Sequence, residues 1–348
     1  MYTVMGNIHI HSTYSDGAGT IEKIAQAAAK RGLDFIIITD HHTLAHLPEE
    51  GYRHGVLVLC GSEINVDKHH YLALNITEEI PADDENPQAV IEAVNSQGGL
   101  GFIAHPFEKG SPLVLNGIVF PWLDWQVQGF TGIEVWNWCS QFRDGVQNLW
   151  QAFYYAYINP EAPITGPCSE AFARFDAITQ TQKITAIAGS DAHDWHIRRG
   201  PLFRRIFPYE YLFGTANNCL LLAEPLAQDT ATAKAQIYEA LKLGRVYFVN
   251  RLAAEADGFS FTVTDGHNTA CLGDTFVFND RTKLKLACPG KEAHRLQVKI
   301  KRNGQTWYET AACEWEKKLE QAGTYRVEIR LNNKPWLYTN PIYVVDSI

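Results

Sequence analysis

The sequence lacks the features of several large protein classes. Its 30 Lys and Arg residues are outnumbered by 39 Asp and Glu, a formal net charge of −9, which argues against a protein that holds nucleic acid by its phosphates. The seven cysteines form no CxxC pair and are odd in number, which indicates reduced thiols rather than a disulfide framework. No apolar run could span a bilayer, and the N-terminus lacks the basic and apolar regions of a signal peptide. We therefore expect a cytoplasmic protein without a membrane partner.

Two catalytic motifs are also missing. No GxSxG sequence surrounds Ser12, Ser15 or Ser190, so a serine nucleophile on a strand-to-helix elbow is not expected. No GxxxxGK[ST] sequence is present to cradle a nucleotide phosphate. Any chemistry must come from other residue types.

The first two-thirds of the chain alternates strand-like and helix-like segments. Continuous apolar runs such as "FIIITD" are typical of buried parallel strands, and residues 20–32 predict a helix with Thr20 as N-cap and Gly32 as stop. This alternation predicts an α/β domain built on a closed or nearly closed barrel. From about residue 256 the helical period disappears, and short alternating runs between turn residues predict a small all-β sandwich.

The stretch "NIHIHSTYSDG" contains two histidines separated by one residue. On a strand, residues i and i+2 point to the same side, so His9 and His11 could chelate one metal ion. Taken alone, the pair is as well explained by two polar core histidines. Asp16, in the "YSDG" turn, is by itself an ordinary turn former.

The other predicted strands also end or begin with candidate metal ligands. They are Asp40, His41 and His42 after "FIIIT", Glu63 after "VLVLCGS", His69 and His70 before "YLAL", His105 after "GLGFIA", and Asp191 and His193 in "GSDAH". In a parallel barrel the carboxyl ends of the strands meet at one mouth. Mixed imidazole and carboxylate ligands without cysteine suit Zn, Mn or Fe rather than a structural zinc site. The ligands are too many for one ion, so we expect two or three divalent ions.

The segments "HIHSTYSDG", "ITDHH", "GSE", "HHYLAL", "AHP" and "GSDAH" resemble those of the PHP (polymerase and histidinol phosphatase) family. With its trailing β-rich segment, the chain resembles the CehA/McbA group of metallohydrolases. The resemblance implies a distorted (β/α)7 TIM-like barrel over residues 1–253 and a β-sandwich over residues 254–348. It implies three metal sites, one made by His9, His11, Glu63 and Asp191, a second by Glu63, His70 and His105, and a third by Asp16, His41 and His193. His70 is favoured over His69 because "YLAL" follows it.

Three polar residues near these ligands have more than one interpretation. Asp40 could act in catalysis by moving a proton or orienting a ligand imidazole, or it could cap backbone amides at a strand end. Glu134 and Asn137 in "GIEVWNW" could line the mouth of the barrel, or they could be polar residues at its edge.

Substrate contacts are suggested by two further segments. His196, Arg198 and Arg199 follow "GSDAHDW" and could bind an anionic substrate, since the arginine fork suits phosphate, although adjacent loop arginines are often simply solvated. The aromatic residues of 120–138 and 149–157 are expected mainly in core and helix packing. They could also wall a pocket for an apolar or planar group.

The sequence thus predicts a metal-dependent hydrolase in which a hydroxide held by a multinuclear centre attacks a small-molecule substrate. The resemblance favours a phosphoesterase acting on a small phosphorylated molecule or nucleotide. Carbamate, ester or amide hydrolysis at the same centre is the alternative, because a carbonyl and a phosphoryl oxygen make similar demands. An exonuclease-like or non-catalytic metal-binding module is a third reading. Substrate identity, the metal and the oligomeric state are left open.

Overall fold

The structure is a computed structural model that describes residues 1–199, 202–290 and 295–346. These residues form seven α-helices together with 22 strands. The helices are α1 Ile21–Lys30, α2 Pro87–Ser96, α3 Trp138–Gly145, α4 Leu149–Tyr157, α5 Ser169–Ile178, α6 Tyr209–Leu212 and α7 Thr230–Leu243. No helix within the described ranges has the length and apolar character needed to cross a membrane.

The strands fall into an N-terminal group separated by helices and a C-terminal group without them. The first group is β1 Tyr2–Ile10, β2 Phe35–Ile38, β3 Gly51–Arg53, β4 Val56–Ile64, β5 Tyr71–Leu74, β6 Leu100–Ile103, β7 Gly132–Asn137, β8 Thr185–Gly189, β9 Trp195–Arg199, β10 Leu202–Ile206, β11 Ala216–Leu222 and β12 Val246–Asn250. The second group is β13 Ser260–Thr264, β14 Thr269–Ala270, β15 Thr275–Val277, β16 Lys283–Ala287, β17 Leu296–Arg302, β18 Gln305–Thr310, β19 Glu314–Lys318, β20 Gly323–Leu331, β21 Lys334–Thr339 and β22 Ile342–Val345.

Seven strands of the first group lie side by side in the order β1-β2-β4-β5-β6-β7-β8. The last of them returns to the first, because Ser190 N donates to Ile8 O at 3.2 Å and His11 N donates to Ala192 O at 2.9 Å. All the neighbours are parallel except β5, which pairs antiparallel with both β4 and β6. The chain therefore has a mixed α/β fold in which one strand is reversed relative to the expected parallel set.

The first helix forms where the sequence predicts it. The Thr20 side chain accepts a hydrogen bond from Lys23 N at 3.4 Å, and the helix ends one residue before Arg31, with Gly32 at a φ of 66°. This positive φ is a backbone conformation that glycine adopts without strain. The buried face of α1 comprises Ile21, Ile24, Ala25 and Ala28, so the amphipathic period packs the helix on the sheet.

The C-terminal strands are continuous with the N-terminal sheet. Strand β21 pairs with β12 through Phe248 and Tyr338, among others, while β14-β13-β16-β19 form a separate four-stranded sheet. A buried ion pair also joins the two parts, since Arg326 on β20 contacts Asp176 on α5 at 2.6 and 2.7 Å. The boundary between residues 253 and 254 stays a prediction, and the hydrogen-bonded sheet runs across it.

The aromatic segments do not all pack in the core. Trp136 and Trp138 are fully buried, as expected. On α4 the prediction of core packing holds only for Ala152 and Tyr155, which are partly buried against the core, whereas Leu149 and Trp150 are each 72% exposed. The sequence of α4 is apolar on every face, so periodicity could not identify a buried side.

Candidate metal centre

The carboxylate of Glu63 lies among five imidazoles, of which His41 is the most distant, with Nδ1 3.5 Å from Oε2. Its Oε2 is 3.0 Å from His9 Nε2 and 3.2 Å from His11 Nε2. Its Oε1 is 2.7 Å from His70 Nδ1 and 3.2 Å from His105 Nε2. Glu63 is 1% exposed, so its carboxylate is almost wholly covered by these rings and the residues around them.

A second group lies beside His11 at the more open side of the centre. Asp16 Oδ1 is 3.2 Å from His193 Nε2, 3.8 Å from His11 Nδ1 and 3.9 Å from His41 Nε2. The ring of His11 stacks on the rings of His193 and His41, with centroids 4.1 and 4.4 Å away. Asp16 is brought here by the turn after β1.

Asp191 connects the first two histidines. Its Oδ1 is 3.5 Å from Nε2 of His9 and 3.5 Å from Nε2 of His11. Three sets of residues have donor atoms that all lie within 4.8 Å of one another, close enough to hold an ion. They are His11, Asp16, His41 and His193; His9, Glu63 and His105; and His9, His11 and Asp191. The structure thus brings the nine predicted ligands together, with His70 joined to them through Glu63.

The ionisation of these groups reflects their mutual contacts. Burial alone lowers the pKa of His11, but the carboxylates of Asp191 and Glu63 outweigh it and raise this pKa to about 9. Burial alone raises the pKa of Glu63, but His9, His70 and His41 hold it well below its usual range. The centre therefore contains ionised carboxylates whose charge is balanced by protons on imidazoles, protons that a divalent cation replaces on binding.

The more open group behaves differently. Burial lowers the pKa of His41 to about 4, so this ring is neutral and able to donate a lone pair. Burial alone raises the pKa of Asp16, but the hydrogen bond and charge of His193 lower it to about 2. A neutral imidazole beside an ionised carboxylate is a suitable pair of ligands for a divalent ion.

Three of the candidate ligands have a left-handed backbone, which is rare outside glycine. The φ angles are 69° at His9, 25° at His105 and 54° at Asp191. His9 also lies where the register of β1 against β2 shifts between Ile8 and Ile10. Such strained conformations concentrate at functional sites, where surrounding contacts maintain them.

Glu134 orients two of the ligands from behind. Its Oε1 lies 2.8 Å from His9 Nδ1, while its Oε2 accepts hydrogen bonds from His105 N at 2.9 Å and Asn137 Nδ2 at 3.0 Å. Gly189 leaves room for this carboxylate, since a Cβ there would overlap Glu134 Oε1. Of the two interpretations of Glu134 and Asn137, these contacts favour residues of the mouth.

Two residues of the site were missed by sequence reasoning. The side chain of Glu108 is 1% exposed and its Oε2 lies 3.6 Å from His105 Nδ1, and Arg143 Nη2 lies 2.5 Å from the same oxygen. Ser140 Oγ and Phe120 N also donate to Glu108. The only sequence feature that could have pointed to Glu108 is its position, three residues after the candidate ligand His105. Arg143 comes from α3, for which the sequence offers no signal.

The remaining predicted residues lie away from the cluster. Asp40 accepts hydrogen bonds from Ser12 N at 2.7 Å, Ser12 Oγ at 2.6 Å and Ser15 Oγ at 2.5 Å, which favours its capping interpretation over a catalytic one. His69 turns away from the centre, and its Nδ1 is 2.9 Å from Asp84 O.

The three residues suggested for substrate binding follow the centre in the chain. His196 is 48% exposed with its Nε2 4.0 Å from Asp194 Oδ1. Arg198 and Arg199 belong to β9, but their side chains lie outside the described part of the structure. The substrate-binding assignment of all three stays a prediction.

The donor set fits metal ions. His11 Nδ1 and Nε2 and His105 Nδ1 are buried without an aligned hydrogen-bond partner in the described ranges, which is costly unless a ligand satisfies them. The sets combine imidazoles and carboxylates, the ligands that Zn, Mn and Fe accept. Seven of the nine predicted ligands, all except His9 and His11, line a cavity of about 360 Å³ whose wall also includes Leu115, Phe120 and Trp195.

Comparisons with known proteins agree with this geometry. The model of the PHP domain matches residues 7–115. An uncharacterized protein of Methanocaldococcus jannaschii is 31% identical over 158 residues, covering 41% of this chain and 85% of that protein. The phosphoribosyl 1,2-cyclic phosphate 1,2-diphosphodiesterase of Eggerthella lenta is 39% identical over 85 residues, covering 22% of this chain and 32% of the enzyme, so the match spans about a third of that relative.

Among solved structures, one similar chain is a two-domain protein from Bacteroides vulgatus containing a predicted PHP-like metal-dependent phosphoesterase. It is 16% identical with a TM-score of 0.45, and the match covers 98% of this chain and 95% of that one.

Proposed function

As a member of the PHP family this chain is a hydrolase, and we propose that it is a metal-dependent phosphoesterase acting on a small phosphorylated molecule or nucleotide. The observation that carries the proposal is the position of Glu63, a buried carboxylate in contact with five imidazoles and adjacent to two further donor sets. Bringing so many charged and polar groups together in the interior is unfavourable without a cation to bind them.

The proposed centre holds two or three divalent ions, Zn, Mn or Fe. His9, His11, Glu63 and Asp191 would hold one ion, Glu63 with His70 and His105 a second, and Asp16 with His41 and His193 a third. Bound ions of this kind supply an activated water at neutral pH and stabilise charge on phosphoryl oxygens.

The protein's own residues prepare the centre for this role. Glu134 fixes the ring of His9 through Nδ1, so that Nε2 faces Glu63 and Asp191. A carboxylate in this position sets the tautomer of a ligand histidine and raises its basicity. Asp40 holds the backbone of Ser12, which fixes the turn that carries Asp16.

The test is a measurement of metal content and turnover on the full-length protein reconstituted with Zn, Mn or Fe. Hydrolysis of p-nitrophenyl phosphate, bis-p-nitrophenyl phosphate and 1-naphthyl N-methylcarbamate is followed for the wild type and for Glu63→Gln. We expect two or three ions per chain and phosphoester turnover. Glu63→Gln should lose turnover and the two ions assigned to Glu63, while the set of Asp16, His41 and His193 keeps its ligands. The control is His54→Gln, because His54 is an exposed histidine paired with Glu22 at 2.6 Å, remote from the centre. Absence of bound metal in the wild type would refute the proposal.

Carbamate, ester or amide hydrolysis at the same centre is the second candidate. It is supported by the apolar part of the cavity wall, formed by Leu115, Phe120 and Trp195, which suits an uncharged substrate with a planar group. Turnover of the carbamate without turnover of either phosphoester would favour this candidate. It would also support the proposed relationship to the CehA/McbA group.

The finer features of the fold belong to the same proposal. We infer a distorted (β/α)7 barrel from the seven-strand order that returns to β1. The helix-free strands of the C-terminal part support a β-sandwich over residues 254–348. A cytoplasmic location is proposed from the odd number and scattered positions of the seven cysteines in the sequence.

A further inference from the structure

Arg143 is a buried cation at the metal cavity. It is 6% exposed and lies on α3, with its guanidinium carbon 5.9 Å from the centre of the Phe120 ring. Of the described residues that line the cavity, Arg143 is the only lysine or arginine, whereas four carry carboxylates: Asp16, Glu63, Glu108 and Asp191. A guanidinium in such a place requires a partner or a role.

Its protein partner satisfies only part of its hydrogen-bonding capacity. Nη2 lies 2.5 Å from Glu108 Oε2, but neither Nη2 nor Nε has an aligned acceptor in the part of the chain that the structure describes. Glu108 already accepts from Ser140 Oγ and Phe120 N. The ion pair therefore fixes the position of the guanidinium while leaving donors of its five N–H groups unsatisfied.

The surroundings of Arg143 strengthen any bond it makes to an anion. The residue also lines a small apolar slot of about 60 Å³ beside the cavity, together with Phe142, Phe207 and Leu212. Charge-assisted hydrogen bonds in apolar surroundings are stronger than those exposed to water. A planar fork with unsatisfied donors is matched to the geometry of a phosphoryl group.

We propose that Arg143 binds a non-bridging oxygen of the substrate's phosphoryl group and thereby selects anionic phosphoesters over neutral carbonyl substrates. This inference rests on the proposed function, since it assigns the substrate contact within the same cavity. Glu108, the partner of Arg143, belongs to none of the three donor sets, although it lies 3.6 Å from His105 Nδ1, so metal content is measured for each variant. Substrate binding and metal binding can therefore be separated by experiment.

The test uses inorganic phosphate as a competitive inhibitor of p-nitrophenyl phosphate hydrolysis by the metal-loaded, full-length protein. We expect Arg143→Met to raise the inhibition constant of phosphate about 10- to 100-fold, the usual effect of losing a hydrogen bond to a charged group, at unchanged metal content. Arg143→Lys, which keeps the charge but not the fork, should raise it about 3- to 10-fold. Arg174→Met is the control, because Arg174 is an exposed arginine over the Trp125 ring, outside the cavity.

Each result bears on the proposal. An inhibition constant within twofold of wild type in a metal-replete Arg143→Met protein overturns it. If that variant loses metal or melts early, Arg143→Lys decides by the same criterion, and loss of metal from both variants shows a structural role and also overturns it. Absence of phosphoester turnover in the wild type would instead refute the proposed function itself.

Discussion

Replacement of Glu134 by glutamine should weaken metal binding without changing the size of the side chain. The carboxylate serves three donors with two oxygens: His9 Nδ1 at 2.8 Å on one, and His105 N at 2.9 Å and Asn137 Nδ2 at 3.0 Å on the other. Glutamine has one acceptor oxygen. If that oxygen faces His105 N, its amide N–H meets Nδ1 and favours the tautomer with the proton on Nε2, the atom that faces Glu63.

The size of the effect follows from these contacts. If the amide takes the opposite orientation, His105 N and Asn137 Nδ2 both lose their acceptor in a buried site. In the first orientation the favoured tautomer of His9 loses one hydrogen bond to a charged group, and in the second a buried donor is left unsatisfied. Either loss corresponds to a free energy of about 1.5–3 kcal/mol. We therefore expect a loss of about 10- to 100-fold in metal affinity, the range found for residues that orient metal ligands.

The assay is competition for Zn or Mn between the protein and a chromophoric chelator at fixed pH. Glu22→Gln is the matched control, because Glu22 also pairs with a histidine, His54 at 2.6 Å, but on the surface. Metal affinity of Glu134→Gln within twofold of wild type would refute the argument that Glu134 sets the orientation and tautomer of His9.

Three further predictions follow from other contacts. Gly189→Ala should lower metal affinity at least about tenfold, because its Cβ would displace Glu134; wild-type binding by calorimetric titration would contradict this. Asp40→Asn should lower the free energy of unfolding by about 1–3 kcal/mol and leave the shape of the pH–rate profile unchanged, whereas loss of one limb would indicate proton transfer by Asp40. Arg326→Met should destabilise the protein by about 3–5 kcal/mol in urea, because it leaves Asp176 as an unpaired, largely buried charge; a loss under 1 kcal/mol would show that the pair is not a significant link.

Most of the candidate ligands could be predicted from the sequence because they lie in or next to a run with a clear strand pattern, whereas Asp16, in a turn, was assigned only through the family resemblance. Apolar strands such as β2 and β4 are identifiable by composition, and the polar residues at their ends have few packing explanations. His69 and His70 are adjacent, so the sequence could separate them only by their position relative to the following strand. In the structure His70 Nδ1 lies 2.7 Å from Glu63 Oε1.

The supporting residues were less accessible to sequence reasoning. Glu134 lies at a register shift in β7, and such an irregularity changes the face on which a strand residue points. Arg143 lies on a helix whose sequence, "WCSQFRDG", gives no indication of which side faces the cavity. Contacts of this kind depend on how loops and helices pack over the sheet, and local pattern does not specify that packing.

The reversed strand β5 explains why the order of ligand and strand differs along the chain. The candidate ligands of the parallel strands lie near or beyond their carboxyl ends, as His9 does in β1 and Glu63 in β4, while Asp191 follows β8 and His105 follows β6. His70 instead precedes β5, which pairs antiparallel with both neighbours. Because an antiparallel strand begins at the edge where its neighbours end, a ligand before it reaches the same mouth as ligands after them. In a chain whose other candidate ligands lie at or beyond the carboxyl ends of their strands, a histidine that precedes an apolar strand therefore predicts that this strand is reversed.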